Sequence, residues 1–259
     1  MKISAFIKTL DGKTFVCREP FNQTELKSLF QLRYHVYRAS SNEFLFPENP
    51  YEMDIDAYDM RAYHFGIFEC DGNRQIAVGS MRLITEEATR FAPMIRAIAA
   101  PYGDLLDKIE PRHLIPLPIF KFFDASDTHK MMSAFKKDFT EISETGRFCL
   151  HESLQRSGLA LFSVKSMISA SLDYLSETGV VLIIVSEMHA QMYGRFGFEP
   201  FGHVPKSDEA PENFVLLKIS MEQVRERLMR EETLRLNLPK TARFADAPIL
   251  KSKDNEPQI

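Results

Sequence analysis

The amino-acid sequence predicts an α/β protein in which one mixed sheet carries helices on its faces. Strand-like runs of β-branched and aromatic residues alternate along the chain with stretches whose apolar residues recur at helical spacing. The 259 residues are 44% hydrophobic and 26% charged, which excludes a wholly disordered chain, a collagen and a coiled coil. Because no break in composition marks a linker, we expect one domain over residues 1–238 and a flexible polar tail over 239–259.

Two β-hairpins are predicted in the N-terminal half, where Asp11-Gly12 and Asp71-Gly72-Asn73 are turn signals between strand-like runs. Their strands are Ile3–Thr9 with Lys13–Arg18, and His64–Glu69 with Ile76–Ile84.

A helix over Glu25–Arg38 is predicted between the hairpins, because its apolar residues repeat at helical spacing and Asn22 or Thr24 can cap it. Several prolines divide Thr85–Asp138, which predicts short helices and loops there, including a candidate lid over a ligand.

The C-terminal half predicts a strand over Phe139–Leu150 and a helix over Gly158–Ser176, which Gly179 is expected to end. The later elements are strand Val180–Ser186, helix Met188–Phe196, strands Phe198–Val204 and Asn213–Ile219, and helix Glu222–Leu234.

Charge and cysteine content narrow the class of protein. A net charge of -4 argues against a protein that coats nucleic acid. Three widely spaced cysteines argue against a secreted disulfide framework. Because no apolar run is long enough for a membrane span or a signal-peptide core, we expect a cytoplasmic protein. The seven histidines lack metal-site spacing, so no metal site is expected.

Two segments carry candidate chemistry. The loop from Gln155 to Ala160 precedes the long helix, and its small residues and the free N–H groups of the helix start can hold a phosphate. An ordinary strand-to-helix turn that binds no ligand would show the same residue pattern. Tyr193, before Gly197-Phe198, can point to the sheet centre and donate a proton, or it can simply pack as a core aromatic.

These two segments, in this order, resemble the acyl-CoA loop and the following helix of the GNAT (Gcn5-related N-acetyltransferase) superfamily. Four further motifs resemble its acyl-homoserine-lactone synthase and N-acyl amino acid synthase branch. They are Leu32-Arg33-Tyr34-x-Val36-Tyr37, Asp54-x-Asp56-x-Tyr58-Asp59, Gly79-Ser80-Met81-Arg82-Leu83-Ile84 and Glu144-Thr145-Gly146-Arg147-Phe148. The spacing from Asp59 to His64 and the absence of tryptophan are more similar to the N-acyl amino acid synthases. Phe44 and Phe46 stand where the family usually carries tryptophan.

The resemblance implies a GNAT-like sheet that is mixed but mostly antiparallel, flanked by helices on both faces. It also implies an N-acyltransferase that moves a long-chain acyl group from acyl carrier protein, or from coenzyme A, to the amine of an amino acid or related small molecule. Acyl-phosphopantetheine would then be a co-substrate, with no permanently bound cofactor, and acyl carrier protein a partner. An acyl-homoserine-lactone synthase and a non-catalytic module that binds acyl chains or acyl carrier protein remain alternatives.

By motif match, Glu144 would be the base and Tyr193 the acid, although Glu141 is a second candidate base. The donor-binding residues would be Arg147, Phe148, Gln155, Arg156, Gly158 and Ala160. A polar cluster would lie on the acceptor side or form a buried ion network; its members are Arg33, Asp54, Asp56, Asp59 and Arg82.

The interpretation as an acyltransferase requires two further features. The first is a split between the central strands that admits the thioester, with Glu144 at its end. An apolar slot for the acyl chain, or ordinary core, is expected from Phe120, Phe122, Phe123, Met131, Met132 and Phe135.

Overall fold

A computed structural model describes residues 5–40, 48–72, 74–110, 115–204 and 213–236, with side chains described up to residue 230. Phe44, Phe46, Asn73 and the predicted tail over 239–259 lie outside the described residues. In the described ranges, no helix has the length and apolar character that crossing a membrane requires.

The described chain forms an eight-stranded sheet in the order β1-β2-β3-β4-β5-β6-β8-β7, in which β5 and β6 are the parallel pair. The strands are β1 Phe6–Leu10, β2 Lys13–Arg18, β3 Ala62–Asp71, β4 Arg74–Ile84, β5 Glu141–Leu150, β6 Gly179–Ser186, β7 Glu199–His203 and β8 Phe214–Ser220. The helices are α1 Gln23–Arg38, α2 Ala92–Ala99, α3 Gly103–Ile109, α4 Ala125–Asp138, α5 Leu159–Ser171, α6 Glu187–Gly194 and α7 Met221–Leu236.

Local sequence signals explain the N-terminal elements, and both predicted strand pairs are present. Asp11 and Gly12 have positive φ angles of 49° and 78°, which suit a two-residue hairpin turn. Of the two caps predicted from the sequence, Asn22 and Thr24, it is Asn22 that caps α1, because its side chain accepts a hydrogen bond from the Glu25 N–H at 2.9 Å.

Alternating residues of β6 pack against helices on opposite faces of the sheet. Val181, Ile183 and Val185 share a core with α5, α6 and α7. Val180 and Leu182 share a different core with α4, and α1 packs on this second face against β4. The prediction of a mostly antiparallel sheet with helices on both faces is therefore confirmed.

Two helix predictions were wrong in their length. The helix predicted over Gly158–Ser176 ends at Ser171, and Gly179 begins β6 instead of ending the helix. In the proline-divided region, α4 is longer than expected, because Asp124 caps it and no proline lies within it.

The pairing of β5 with β6 is short. Only four residue pairs join them, from Glu141 with Gly179 to Glu144 with Leu182. β5 then continues to Leu150 and β6 to Ser186 without further pairing to each other. We call the gap between residues 145–150 and 183–186 the split, because it leaves two strand edges open in the middle of the sheet.

The edge of β5 opposite the split contains a β-bulge. The register with β4 shifts between Ser80, which pairs with Cys149, and Arg82, which pairs with Gly146. The extra residue lies on β5, where Arg147 has a φ of 54°. Such a bulge bends its strand and redirects its peptide groups.

Candidate active site

Glu144 lies at the end of the split, on the last residue pair between β5 and β6. Its side chain is only 4% exposed, and its Oε2 accepts a hydrogen bond from the Ile119 N–H at 2.7 Å. Burial raises the pKa of the Glu144 carboxyl to about 7, although the Ile119 N–H and the Arg82 charge oppose this shift. A carboxyl group that titrates near neutral pH can accept a proton from a substrate and release it again.

Glu141, the alternative base, has a different environment. It is exposed, and its Oε2 accepts a hydrogen bond from the Ser176 N–H at 2.6 Å in the connection between α5 and β6. This contact stabilises the turn, so Glu141 is occupied with a local structural role at the closed end of the β5–β6 pair.

A short segment crosses over Glu144, and we call its residues 115–123 the strap. Pro118 to Phe122 form a 3-10 turn in which Ile119 and Phe120 are buried. Arg61, at the end of another 3-10 turn before β3, donates to the Pro116 carbonyl at 2.6 Å. The strap is therefore fixed to the sheet on both sides of Leu117, through Arg61 and through Glu144.

The predicted polar cluster forms a buried ion network. Arg33 binds Asp59 in a bidentate pair at 3.0 and 2.9 Å, and its Nε lies 3.0 Å from the Asp54 carboxylate. Arg82 binds Asp56 in a second bidentate pair at 2.7 and 2.9 Å and lies 2.8 Å from Asp59. Burial favours the neutral form of Asp59, but the charges of Arg33 and Arg82 hold its pKa well below its usual range.

His64 closes this network from β3 and is fully buried. Its Nε2 lies 3.1 Å from the Asp59 carbonyl, and the rings of Phe30 and Phe91 contact it edge-on. Burial lowers the pKa of His64 to about 4, so the imidazole is neutral at physiological pH.

Arg147 connects the bulge to the network. Its side chain lies 3.2 Å from Asp54 and 3.3 Å from Asp56, and its guanidinium lies over the Tyr37 ring at 5.9 Å. The Tyr37 hydroxyl, from α1, donates to the Phe148 carbonyl at 3.1 Å. The side chain of Arg147 is thus directed to the cluster, whereas a donor contact by Arg147 or Phe148 stays a prediction.

We expect Tyr37→Phe to lower the free energy of unfolding by about 1 kcal/mol, because the Phe148 carbonyl at the bulge loses its donor. Urea denaturation measures the loss. The matched control is Tyr34→Phe on the same helix, whose hydroxyl makes no hydrogen bond within the described residues. An equal loss in both variants would contradict a role for the Tyr37 hydroxyl at the bulge.

The loop before α5 has the features expected of an anion-binding turn. Gly158 is the N-cap of α5 with a φ of 76°, and no side chain caps this helix. Its carbonyl accepts a hydrogen bond from the Lys8 ammonium at 3.3 Å. Next to it lies an open cavity of about 520 Å³, whose lining residues are Glu152, Ser153, Gln155, Arg156 and Ser157. Ala160 follows, half-buried, in the first turn of α5.

Tyr193 is buried in α6, where its ring contacts Phe198 edge-on at 5.6 Å between centroids. It belongs to the core shared with α5 and α7, whereas Glu144 points to the other face, with Leu182. Burial raises the pKa of the Tyr193 hydroxyl above its usual value. The two side chains can therefore meet at one substrate only across the split.

The residues expected to line an apolar slot divide into two groups. Phe120 and Phe135 are buried in the core around Leu182. The others are only partly buried against that core; they are Phe122, Phe123, Met131 and Met132. Within the described ranges, no group of three or more His, Cys, Asp or Glu side chains is arranged to hold a metal ion.

Comparison with protein families decides the classification. The model of the N-acyl amino acid synthase FeeM family matches residues 28–220. The chain belongs to the FeeM N-acyl amino acid synthase family. It is an acyltransferase. No curated protein matches the chain significantly.

This FeeM-family chain is similar to several solved structures. FeeM, an N-acyl amino acid synthase from uncultured soil microbes, is 14% identical with a TM-score of 0.50, over 85% of this chain and 98% of its own. The CoA-dependent acyl-homoserine lactone synthase BjaI is 15% identical with a TM-score of 0.48, over 88% and 89%. An acyl-CoA N-acyltransferase from Pseudomonas aeruginosa is 14% identical with a TM-score of 0.45, over 82% and 100%. The likeness to FeeM confirms the GNAT-like fold implied by the sequence motifs.

In this FeeM-family member, sequence reasoning missed the surroundings of Glu144. It assigned no role to Tyr37, Arg61 or the Ile119 N–H. Tyr37 ends a motif that was recognised, so its position could have drawn attention. Arg61 and Ile119 carry no signal in the sequence, because their roles depend on where the strap crosses the sheet.

Proposed function

We propose that the protein transfers a long-chain acyl group from a phosphopantetheine thioester to the amine of an amino acid. The observation that carries this proposal is the position of Glu144, a buried carboxyl group with a pKa of about 7 at the end of the split. Membership of the FeeM family supports the reaction class. The donor would be acyl carrier protein or coenzyme A, used as a co-substrate, with no permanently bound cofactor.

Glu144 would act as the general base. The amine of an amino acid is mostly protonated at pH 7, so it must lose a proton before its nitrogen can attack the thioester carbonyl. Ile119 occupies Oε2 of the carboxylate, and this contact fixes the orientation of the group that accepts the proton. The C–N bond then forms, the C–S bond breaks, and the thiolate leaves.

The split would hold the donor arm. Residues 145–150 of β5 and 183–186 of β6 do not pair with each other, so their backbone groups are available. The pantetheine amides can hydrogen-bond to these edges as an added strand would. Gln155, Arg156, Gly158 and Ala160 would hold the phosphate at the start of α5. Tyr193 would protonate the leaving thiolate from the other side of the split.

The acyl chain would lie against the partly buried group Phe122, Phe123, Met131 and Met132. These side chains belong to the strap and to α4, on the same face of the sheet as Glu144. Methionine and phenylalanine adapt to irregular apolar ligands, which suits a flexible hydrocarbon chain.

Incubating the purified protein with acyl-acyl carrier protein or acyl-CoA and the pool of amino acids tests this function. We expect thiol release that depends on an amino acid, together with an N-acyl amino acid detected by mass spectrometry. Comparing the two donors shows which carrier the protein uses.

Two outcomes would contradict the proposal. Release of methylthioadenosine when S-adenosylmethionine is the acceptor, with no product from amino acids, would indicate a lactone synthase. Tight binding of acyl donor without turnover, over all amino acids, would indicate a binding module.

A further inference from the structure

Arg61 is a half-buried cation beside the proposed site whose charge no carboxylate neutralises at short range. Its guanidinium donates to the backbone carbonyls of Pro116, at 2.6 Å, and Glu86, at 3.3 Å. In the described part of the chain it makes no ion pair within 4 Å. The Glu86 carboxylate is directed instead to Lys136, at 3.8 Å. A cation in this state attracts an anionic ligand.

The other arginines near Glu144 are already neutralised. Arg33 and Arg82 are buried at 0% and 3% exposure, and both bind aspartates of the cluster. Arg147 is ion-paired with Asp54 and Asp56. Of these four arginines, only Arg61 offers a free charge to a substrate.

The strap places Arg61 near Glu144. Arg61 binds the Pro116 carbonyl, and Glu144 binds the N–H of Ile119 in the same strap. The two residues between those contacts span at most roughly 7 Å, so the two side chains lie within roughly 12 Å of each other. The Tyr58 ring lies 5.5 Å from the Arg61 guanidinium, and Tyr58 is near enough to Glu144 for the two groups to interact electrostatically.

We propose that Arg61 binds the carboxylate of the acceptor amino acid while Glu144 binds its amine. An α-amino acid hydrogen-bonded at both ends would span roughly 9 Å between the two side chains, which is shorter than the upper limit of roughly 12 Å. Each terminal nitrogen of Arg61 uses one N–H on a backbone carbonyl. The remaining N–H on each nitrogen can bind the two oxygens of one carboxylate. This assignment rests on the proposed function and makes Arg61 a determinant of acceptor specificity.

The test compares an amino acid that the wild type acylates with the primary amide of the same amino acid, which keeps the amine but lacks the negative charge. We expect the wild type to prefer the free acid. Arg61→Gln should lower kcat/KM for the acid by about 10–100-fold more than kcat/KM for the amide, and the difference should lie mainly in KM. Arg61→Lys should retain more of the preference for the acid than Arg61→Gln does, because lysine keeps the positive charge but lacks the paired N–H donors of the guanidinium. The matched control is Arg96→Gln, which removes an exposed arginine paired with Glu110 away from the site.

The outcomes separate this assignment from the proposed function. If the wild type acylates no amino acid, the proposed function fails and the assignment fails with it. If the wild type acylates amino acids but Arg61→Gln lowers kcat/KM equally for the acid and the amide, then Arg61 only fixes the strap. In that case the assignment is wrong and the proposed function stands. If Arg61→Gln does not fold, the same comparison is made with Arg61→Lys, and equal losses of kcat/KM for the acid and the amide would also overturn the assignment.

Discussion

Replacing Glu144 with glutamine is expected to lower turnover by roughly 10²–10⁴-fold and, at the same time, to make the protein more stable above pH 7. The folded-state pKa of about 7 exceeds the ordinary value of 4.5, so the folded protein retains a proton that the unfolded chain releases. Stability is therefore lost as pH rises from about 4.5 through 7. The full penalty above pH 7 is about 3 kcal/mol. Glutamine carries no charge, and its carbonyl can still accept the Ile119 N–H.

Urea denaturation at pH 5 and at pH 8.5 measures the difference in the free energy of unfolding between Glu144→Gln and the wild type. This difference should be small at pH 5 and large at pH 8.5. The wild-type rate should rise with pH through about 7 as Glu144 loses its proton. Glu141→Gln is the matched control, because Glu141 is exposed and its amide analogue can still accept the Ser176 N–H. A large loss of turnover in Glu141→Gln, with an active Glu144→Gln, would move the base to Glu141.

Asp59→Asn is expected to lower the free energy of unfolding by roughly 3–5 kcal/mol. The Asp59 carboxylate is fully buried and pairs with both Arg33 and Arg82, which are themselves almost completely buried. Removing its charge leaves two cations in the interior with less compensation. The loss is measured by denaturant unfolding at pH 7.

The control for Asp59→Asn is Asp127→Asn, which breaks an exposed pair with Lys130. Exposed pairs contribute at most about 1 kcal/mol, so this variant should remain close to wild type. If Asp59→Asn proved equally mild, the cluster would not be the structural network that its geometry indicates. Any activity measured in Asp59→Asn must be corrected for the folded fraction before it bears on the acceptor site.

The sequence predicted those parts of the fold that depend on local signals. Asp11-Gly12 adopts the positive φ angles that its turn requires, and Asn22 caps α1 as its position suggests. The end of α5 could not be predicted in this way. The chain after Ser171 turns because Tyr174 stacks on Tyr63, with ring centroids 4.0 Å apart, and because Glu141 binds the Ser176 N–H. Both contacts come from distant strands.

The same distinction between local signals and long-range contacts applies to the candidate site. The motif match placed Glu144 and the cluster residues, which the fold does bring to one region of the sheet. It could not choose between Glu141 and Glu144, because burial decides their environments and burial depends on the strap. The role of Arg61 could not be predicted from the sequence for a related reason. Its charge is available because the nearby carboxylates pair with other cations, and no short sequence motif indicates that arrangement.

The direction of one strand also determines where the loop before α5 lies. β5 begins at the joined end of its pairing with β6 and runs toward the open end, where Leu150 leads directly into the loop before α5. A parallel partner cannot be reached by a tight turn, so the chain must return through a crossover helix. That return path begins at the mouth of the opening. A single topological choice thus leaves two strand edges open in the middle of the sheet and places the positive end of a helix dipole beside them.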